Sequence, residues 1–243
     1  MFKRTLIAVA LLAGSSVTTY AAQYKGEAMP MSMPAQTYFQ VDPYVGVGLG
    51  ALNSFFRSHD LAAITNPTTG TTSYFTYGNM NGIYEIYAGY GGLLNRMFYL
   101  AGEIFADNTF NSRAKTVTDD GLSGTTINTK IRASYGISIL PGILLTDQTV
   151  GFIRLGARRT NFNTTTNGDA GFVGTINTNR TGFDAGLGLL VALTHNWDLR
   201  GEYIYTSYNS FTTPPVAAAA PTTGYNIKPT SGQFVLSTDY RFG

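Results

Sequence analysis

The chain has 243 residues, of which 44% are hydrophobic, 13% aromatic and only 12% charged, where ordinary soluble domains carry about 25% charged residues. Its 28 Gly, 16 Tyr and 15 Phe accompany a mean hydropathy of 0.00, which excludes a bundle of membrane helices, whose segments are nearly all apolar. The absence of cysteine excludes a disulfide framework and a lipidated cysteine.

Lys3 and Arg4 precede an apolar run over residues 6–13, and small residues then lead to Thr19, Tyr20, Ala21 and Ala22. This is the pattern of a secretory signal peptide cut after Ala21 or Ala22, and the run is too short to span a bilayer. Residues 1–21 are therefore read as a leader. Without Lys3 and Arg4, 14 of the 16 basic residues remain against 14 acidic ones, so no nucleic-acid surface is expected. Residues 22–40 are read as a flexible extension. Met29, Met31 and Met33 alternate there with Pro30, Ser32 and Pro34; thioethers suit Cu(I), but no His or Cys supports them.

Over residues 41–243 the dominant signal is period two. The first predicted strand sets Val45, Val47, Leu49 and Ala51 against Tyr44, Gly46, Gly48 and Gly50. The second sets Tyr84, Ile86, Ala88 and Tyr90 against Ile83, Glu85, Tyr87 and Gly89, and the third sets Phe98, Leu100, Gly102 and Ile104 against Tyr99, Glu103, Phe105 and Asp107. In the fourth, Ile127, Thr129, Ile131, Ala133, Tyr135, Ile137 and Ile139 oppose Asn128, Lys130, Arg132, Ser134, Gly136 and Ser138. The fifth carries Ile153, Leu155 and Ala157 against Arg154 and Arg158, and the sixth carries Phe183, Leu187, Leu189 and Val191 against Asp184, Gly186 and Gly188. The seventh pairs Leu199, Tyr203 and Tyr205 with Asp198, Arg200 and Glu202 on the other face, and the last pairs Phe234, Leu236, Tyr240 and Phe242 with Gln233, Ser237, Asp239 and Arg241.

The charges of all eight strands fall opposite the apolar residues, with Arg159 the one exception. In a sandwich the apolar face would be the core; in an outer-membrane barrel it would meet lipid and the charges would line the interior. Connection lengths decide. The gaps over residues 57–79, 111–125, 160–180 and 208–228 are long and polar, whereas those over 91–96, 141–148 and 195–196 are short. Such alternation marks short periplasmic turns and four long extracellular loops, and an even strand number closes the sheet without edges. The expected fold is all-β, an eight-stranded antiparallel transmembrane barrel, with Tyr and Phe near strand ends at the membrane interfaces.

Residues 187–208 include Leu193, Thr194, His195, Asn196, Trp197, Asp198, Leu199, Arg200, Gly201, Glu202 and Tyr203, followed by Tyr205 and Thr206. This stretch resembles the penultimate hairpin of the opacity-type surface antigens, small eight-stranded barrels related in architecture to the OmpA membrane domain. Tyr240, Arg241 and Phe242 are similar to the aromatic end signal read by the outer-membrane assembly machinery, with Gly243 following where the family usually ends on the aromatic. The resemblance implies an outer-membrane protein whose loops contact a host or surface ligand. The partners it implies are outer-membrane lipid and lipopolysaccharide, the assembly machinery and that ligand.

An eight-stranded barrel is just wide enough for side chains to fill. Glu85, Glu103, Asp107, Asp184, Glu202 and Asp239, with Asp198 near a turn, are expected inside with Lys130, Arg132, Arg154, Arg158, Arg200 and Arg241. A nearly balanced set should pair internally, because buried unpaired charge is costly. The interior is thus expected to be plugged by salt bridges, the alternative being a small porin-like channel gated by one pair. A lipid-modifying barrel enzyme is disfavoured, since His59 and His195 are the only histidines and fall at opposite barrel ends. The same two histidines give no metal-ligand spacing. Asp119-Asp120-Gly121 and Asn167-Gly168-Asp169 are turn signals before they are calcium loops. Gly46, Gly48 and Gly50 lack the spacing of a dinucleotide fingerprint. No cofactor is implied, and the loops, rich in Thr, Asn, Ser and Gly, are where interaction is expected.

Overall fold

A computed structural model describes residues 38–60, 74–110, 114–118, 125–167, 173–213 and 225–243. The leader, the extension up to residue 37 with its methionines, the Asp119-Asp120-Gly121 and Gly168-Asp169 turns and the stretch over 214–221 lie outside these. Residues Thr37–Gly243 make one compact unit.

Its strands are β1 (Asp42–Asp60), β2 (Tyr74–Leu93), β3 (Phe98–Thr109), β4 (Ala114–Thr118), β5 (Thr125–Thr146), β6 (Thr149–Asn167), β7 (Val173–Ala192), β8 (Trp197–Tyr208), β9 (Phe211–Thr212) and β10 (Tyr225–Arg241). Every pairing is antiparallel, and β10 returns to β1 from Tyr44↔Arg241 to Asp60↔Tyr225. The sheet is therefore a ring without a long free edge. β3 and β4 both pair with β5, β3 through Asp107↔Ser134 and β4 through Ala114↔Thr129, so together they make one interrupted stave. β9 extends β8 along β10 in the same way. The ring has eight staves.

The strands outrun their hydropathy pattern. β1 and β2 occupy much of the loop expected over 57–79, and β6 and β7 most of that over 160–180. Beyond the apolar belt the outer face of β6 and β7 is mostly Asn and Thr, with Val173 at its end, so alternation fades while backbone pairing continues. Asn161 Nδ2 donates to Asn179 Oδ1 at 2.9 Å, and the Thr165 and Thr175 hydroxyls lie 3.3 Å apart, cross-strand pairs that support the extension. At the other end β5 runs through Pro141, and the turn expected over 141–148 contracts to Asp147 and Gln148.

Apolar side chains point outward: Leu49 is 65% exposed, Leu187 67% and Ile104 63%. Charged ones point inward: Arg154, Arg200, Asp184 and Asp239 are fully buried. This inverts a water-soluble sheet protein and requires an apolar surrounding. At the short-turn end Trp197 and Tyr240 sit with ring centroids 5.1 Å apart, as do Tyr240 and Phe242. At the opposite edge of the belt Tyr84 packs on Phe110 at 5.1 Å, and Tyr135 and Phe183 are exposed on other staves. Rings at both borders suit the two membrane interfaces.

One strand departs from strict alternation. On β5 the register passes from Ile131↔Phe162 to Ser134↔Thr160, leaving Arg132 and Ala133 opposite Asn161 alone. This is a β-bulge, and an extra residue reverses side-chain parity beyond it. Below it Tyr135, Ile137 and Ile139 face outward and Ser134 and Ser138 are buried; above it Ile127, Thr129 and Ile131 are buried instead. The expected single apolar face from Ile127 to Ile139 is thus two faces. Lys130 and Arg132, expected inside, lie on the outer side, with Arg132 exposed.

Candidate functional site

The interior is shaped first by small residues. A Cβ at Gly46 would lie 2.2 Å from the Tyr87 ring, and one at Gly188 would lie 2.2 Å from the Phe152 ring. Glycine on the inner parity of one stave thereby admits an aromatic from another, and these rings and four arginines fill the width.

The arginines form a ladder. Nearest the short-turn end, Arg241 Nε donates to Asp198 at 2.5 Å, and its Nη1 reaches the carbonyl of Gly91 at 3.2 Å. Arg200 lies 2.6 Å from Glu103 and 2.7 Å from Asp239, with its guanidinium 4.4 Å from the centroid of the Tyr87 ring. Arg154 lies 2.9 Å from Glu202, 3.7 Å from Glu103 and 3.8 Å from Glu85. Arg158 lies 2.6 Å from Asp107 and 2.9 Å from Asp184. Arg154 and Arg158 share the Phe105 ring, at 4.5 and 4.9 Å. Each rung ties staves far apart in sequence.

The structure thus brings together Glu85, Glu103, Arg154, Arg158, Asp184, Arg200, Glu202, Asp239 and Arg241, along with Asp107 and Asp198. It does not bring in Lys130 or Arg132. The near balance of charge expected inside is corrected accordingly: four ladder guanidiniums face seven carboxylates. Neutral donors take up part of the excess. Tyr44 donates its hydroxyl to Glu103 at 2.8 Å, Thr206 to Asp184 at 2.8 Å, and Tyr87 to Asp239. A buried charge held by a guanidinium and a hydroxyl is less costly than one left bare.

Both ends of the ladder are stopped by apolar side chains. Towards the long-loop end, Leu52, Phe56, Tyr77, Ile127, Phe162 and Phe211 belong to one buried cluster with Ile131 and Tyr208. Phe56 stacks on Tyr77 at 5.0 Å, and Phe162 meets Tyr208 edge-on at 5.2 Å. At the short-turn end, Phe39 is 2% exposed and packs against Tyr99, with Arg241 5.4 Å from its ring centroid. Its φ of 60° turns the chain beneath the ring, and its carbonyl accepts from Leu93 N–H at 2.8 Å. Tyr38 accepts from Gln148 Nε2 at 3.2 Å. Residues 38–40, assigned from sequence to a flexible extension, are therefore packed.

Alternation puts Tyr44, Tyr87 and Tyr99 on the inner face, as found, but it points to neither stopper. Leu52 and Phe56 continue the inner parity of β1, beyond the expected end of that strand at Ala51. Tyr240 and Phe242 sit at the outer border of the short-turn end, where Asn196 Nδ2 donates to the carbonyls of Arg241 and Gly243, each at 3.0 Å. His195 is exposed in the turn between β7 and β8, while His59 lies on β1 at the far end, its backbone paired with Tyr74 and Asn226. Among the described residues no group of three His, Cys, Asp or Glu could hold a metal ion.

A family model described as the outer membrane protein beta-barrel domain matches residues 7–242. No curated protein matches the sequence significantly. Among solved structures, the chain is similar to Ail, the attachment invasion locus protein of Yersinia pestis, at 12% identity over 83% of this chain and 99% of that one, with a TM-score of 0.39. It is similar to Neisserial surface protein A at 14% identity over 80% and 97%, with a TM-score of 0.38. It is also similar to the outer membrane protease OmpT of Escherichia coli at 9% identity over 83% and 97%, with a TM-score of 0.48.

Proposed function

Since the chain belongs to the outer-membrane β-barrel family, we propose that it is a closed barrel that acts at the cell surface through its long-loop end, without catalysis or conduction. The observation that carries this reading is the stoppered ladder, in which each of Arg154, Arg158, Arg200 and Arg241 is held by carboxylates, with aromatic clusters above and below. A conducting path would have to part several buried charge pairs at once, and parting one is already costly.

The long-loop end faces the exterior in this account. There β6 and β7 project beyond the belt and present Asn163, Thr165, Asn177 and Asn179 on their outer face, a neutral array of amides and hydroxyls suited to hydrogen bonding with a surface ligand. Tyr240 and Phe242 would serve the assembly machinery. His59 and His195 lie at opposite ends of the ring, too far apart to share a nucleophile as base and orienter.

Two measurements test the reading. In planar bilayers, the folded and inserted protein should be silent, and should stay silent in Arg158→Ala combined with Phe162→Ala, because Arg154, Arg200 and Arg241 keep their carboxylates. Discrete openings of the unaltered protein would contradict closure. A peptide tag placed within residues 168–172 should be cut by protease added to intact cells, and protection of the tag until the outer membrane is breached would contradict the orientation.

A further inference from the structure

Above the apolar belt the ring parts into two sheets. β3 leaves β2 at Ile83↔Thr109, where Phe110 N–H still donates to the Gly82 carbonyl at 2.9 Å. β8 leaves β7 at Gly182↔Tyr208, where Asn209 N–H donates to the Thr181 carbonyl at 3.1 Å. Beyond those points β4 stays with β5, and β9 stays with β10. Two slits result, one between β2 and β4 and the other between β7 and β9. The first is crossed by a hydrogen bond from β2 to β5, the Tyr77 and Thr129 hydroxyls lying 3.0 Å apart. Along the second, no described strand pairs with the slit side of β7 from Val173 to Arg180.

The short edge left on β7 has a defined chemistry. In an antiparallel ladder successive residues direct their N–H and C=O to alternate sides. Thr181 directs its carbonyl to β8, so Val173, Thr175, Asn177 and Asn179 present their backbone groups to the slit. Their side chains are exposed on the outer face, whereas Ile176, Thr178 and Arg180 are half-buried on the inner one. An edge of this kind is a template for a further strand. Arg180 gives the slit a sign. Its guanidinium lies 5.6 Å from the centroid of the Phe211 ring, and its buried Nε has no acceptor. The next charge on that face of β7, Asp184, is already held by Arg158 at 2.9 Å and by the Thr206 hydroxyl at 2.8 Å. Unlike the four ladder arginines, Arg180 is therefore a cation without a carboxylate among the described residues.

We propose that the free edge of β7 takes up an extended segment of a partner protein as an added strand, with an acidic side chain of that segment set on Arg180. Main-chain hydrogen bonds supply the affinity of such pairing and alternate side chains its selectivity. In an added antiparallel strand the residue opposite Arg180 points to the same inner face, with its Cβ about 5 Å away. A carboxylate there meets the guanidinium over the Phe211 ring, where a charge-assisted hydrogen bond is stronger than a neutral one. The residues opposite Thr178 and Ile176 share that face and suit apolar side chains, while those beside Thr175 and Asn177 meet water and suit polar ones. The segment recognised is thus a strand with one polar face and one face that is apolar with an acid at its end. The proposal rests on the reading of the long-loop end as the surface that meets partners, whereas the pairing itself does not depend on orientation in the membrane.

The test uses the refolded full-length protein in detergent micelles and a labelled peptide that alternates Thr with one Glu followed by Val, its binding read by fluorescence anisotropy. Two control peptides carry Lys in place of the Glu, or N-methyl groups on the residues that pair with β7. The Glu peptide should bind about fivefold more tightly than the Lys peptide, and that preference should vanish in Arg180→Gln. Asn177→Pro removes an edge N–H and leaves the bonds to β6 in place, so binding should fall about fivefold. Should Asn177→Pro fail to fold, the N-methylated peptide carries the same test and should not bind. Equal binding of the N-methylated peptide, or undiminished binding by a folded Asn177→Pro, would overturn strand addition. A Glu preference that survives in Arg180→Gln would overturn the role of Arg180. Association of the protein with itself that excludes the peptide and is lost in Asn177→Pro would make a second copy the occupant and overturn the assignment. A tag at residues 168–172 found on the inner side would refute the surface reading while leaving the measured peptide preference intact.

Discussion

The two halves of β5 both set aliphatic residues at odd positions, and they send them to opposite faces. From Ser134 to Thr146 the strand sends Tyr135, Ile137 and Ile139 outward and keeps its serines inside; from Thr125 to Ile131 it buries Ile127 and Ile131 and turns Lys130 out. Two residues facing one, Arg132 and Ala133 against Asn161, separate them. A period-two pattern specifies alternation but not which face is which, so one bulge reverses every assignment beyond it.

The comparison can be tested at its joint by deleting Ala133. Arg132 would then face Asn161 alone, and regular alternation would keep Ile131 buried and Lys130 outside, so a folded species should persist in a heat-modifiability gel. Its loss would show that the bulge does more than set the faces of β5. The largest expected effect is the contrast between arginines inside and outside. Arg158→Ala strands Asp107 and Asp184 and should cost about 3 to 5 kcal/mol, whereas Arg132→Ala should stay within about 0.5 kcal/mol. Equilibrium unfolding in urea from vesicles measures both, and similar costs would erase the distinction.

The outer face below the bulge responds to charge by depth. Leu189→Arg and Ile137→Arg should each cost about 2 to 4 kcal/mol if near the bilayer midplane. Ile131→Ala, by contrast, opens a hole beside Phe162 and Tyr208 and should cost about 2 to 5 kcal/mol, more than Ile137→Ala. The smallest effect is expected at the short-turn end, where Phe39→Ala removes the lower stopper yet leaves Tyr99 and Arg241 with their other partners. Stability should fall modestly, and uptake of small ions into vesicles should stay at background while the upper stopper remains. Rapid ion leakage would show that Phe39 alone closes the barrel.

Much of this architecture was legible in the sequence. Val45 to Ala51, Tyr84 to Tyr90 and Phe183 to Val191 face as their alternation said, and the long and short connections alternate in the closed ring. Arg154, Arg158, Arg200 and Arg241 were placed by parity alone. Lys130 and Arg132 were misplaced because a bulge has no hydropathy signature when both residues in it are tolerated outside. The aromatic stoppers are hidden from the pattern because Phe56 and Phe162 lie where the outer faces turn polar, and a strand with polar and apolar sides reversed has the composition of a loop. Phe39 was hidden by its neighbours: a Met- and Pro-rich segment gives no sign that its last residues pack beneath a ring.

The most direct test exploits a chain with no cysteine, in which single spin labels can be attached without background. Labels at Lys130→Cys, Ile131→Cys, Arg132→Cys and Ile137→Cys would be compared for collision with oxygen, which concentrates in lipid, and with a water-soluble nickel chelate. Position 137 should favour oxygen, positions 130 and 132 the chelate, and position 131 should be shielded from both. Oxygen access at 131 with shielding at 130 and 132 would show unbroken alternation along β5, returning Lys130 and Arg132 to the interior and contradicting the reversal of faces at the bulge.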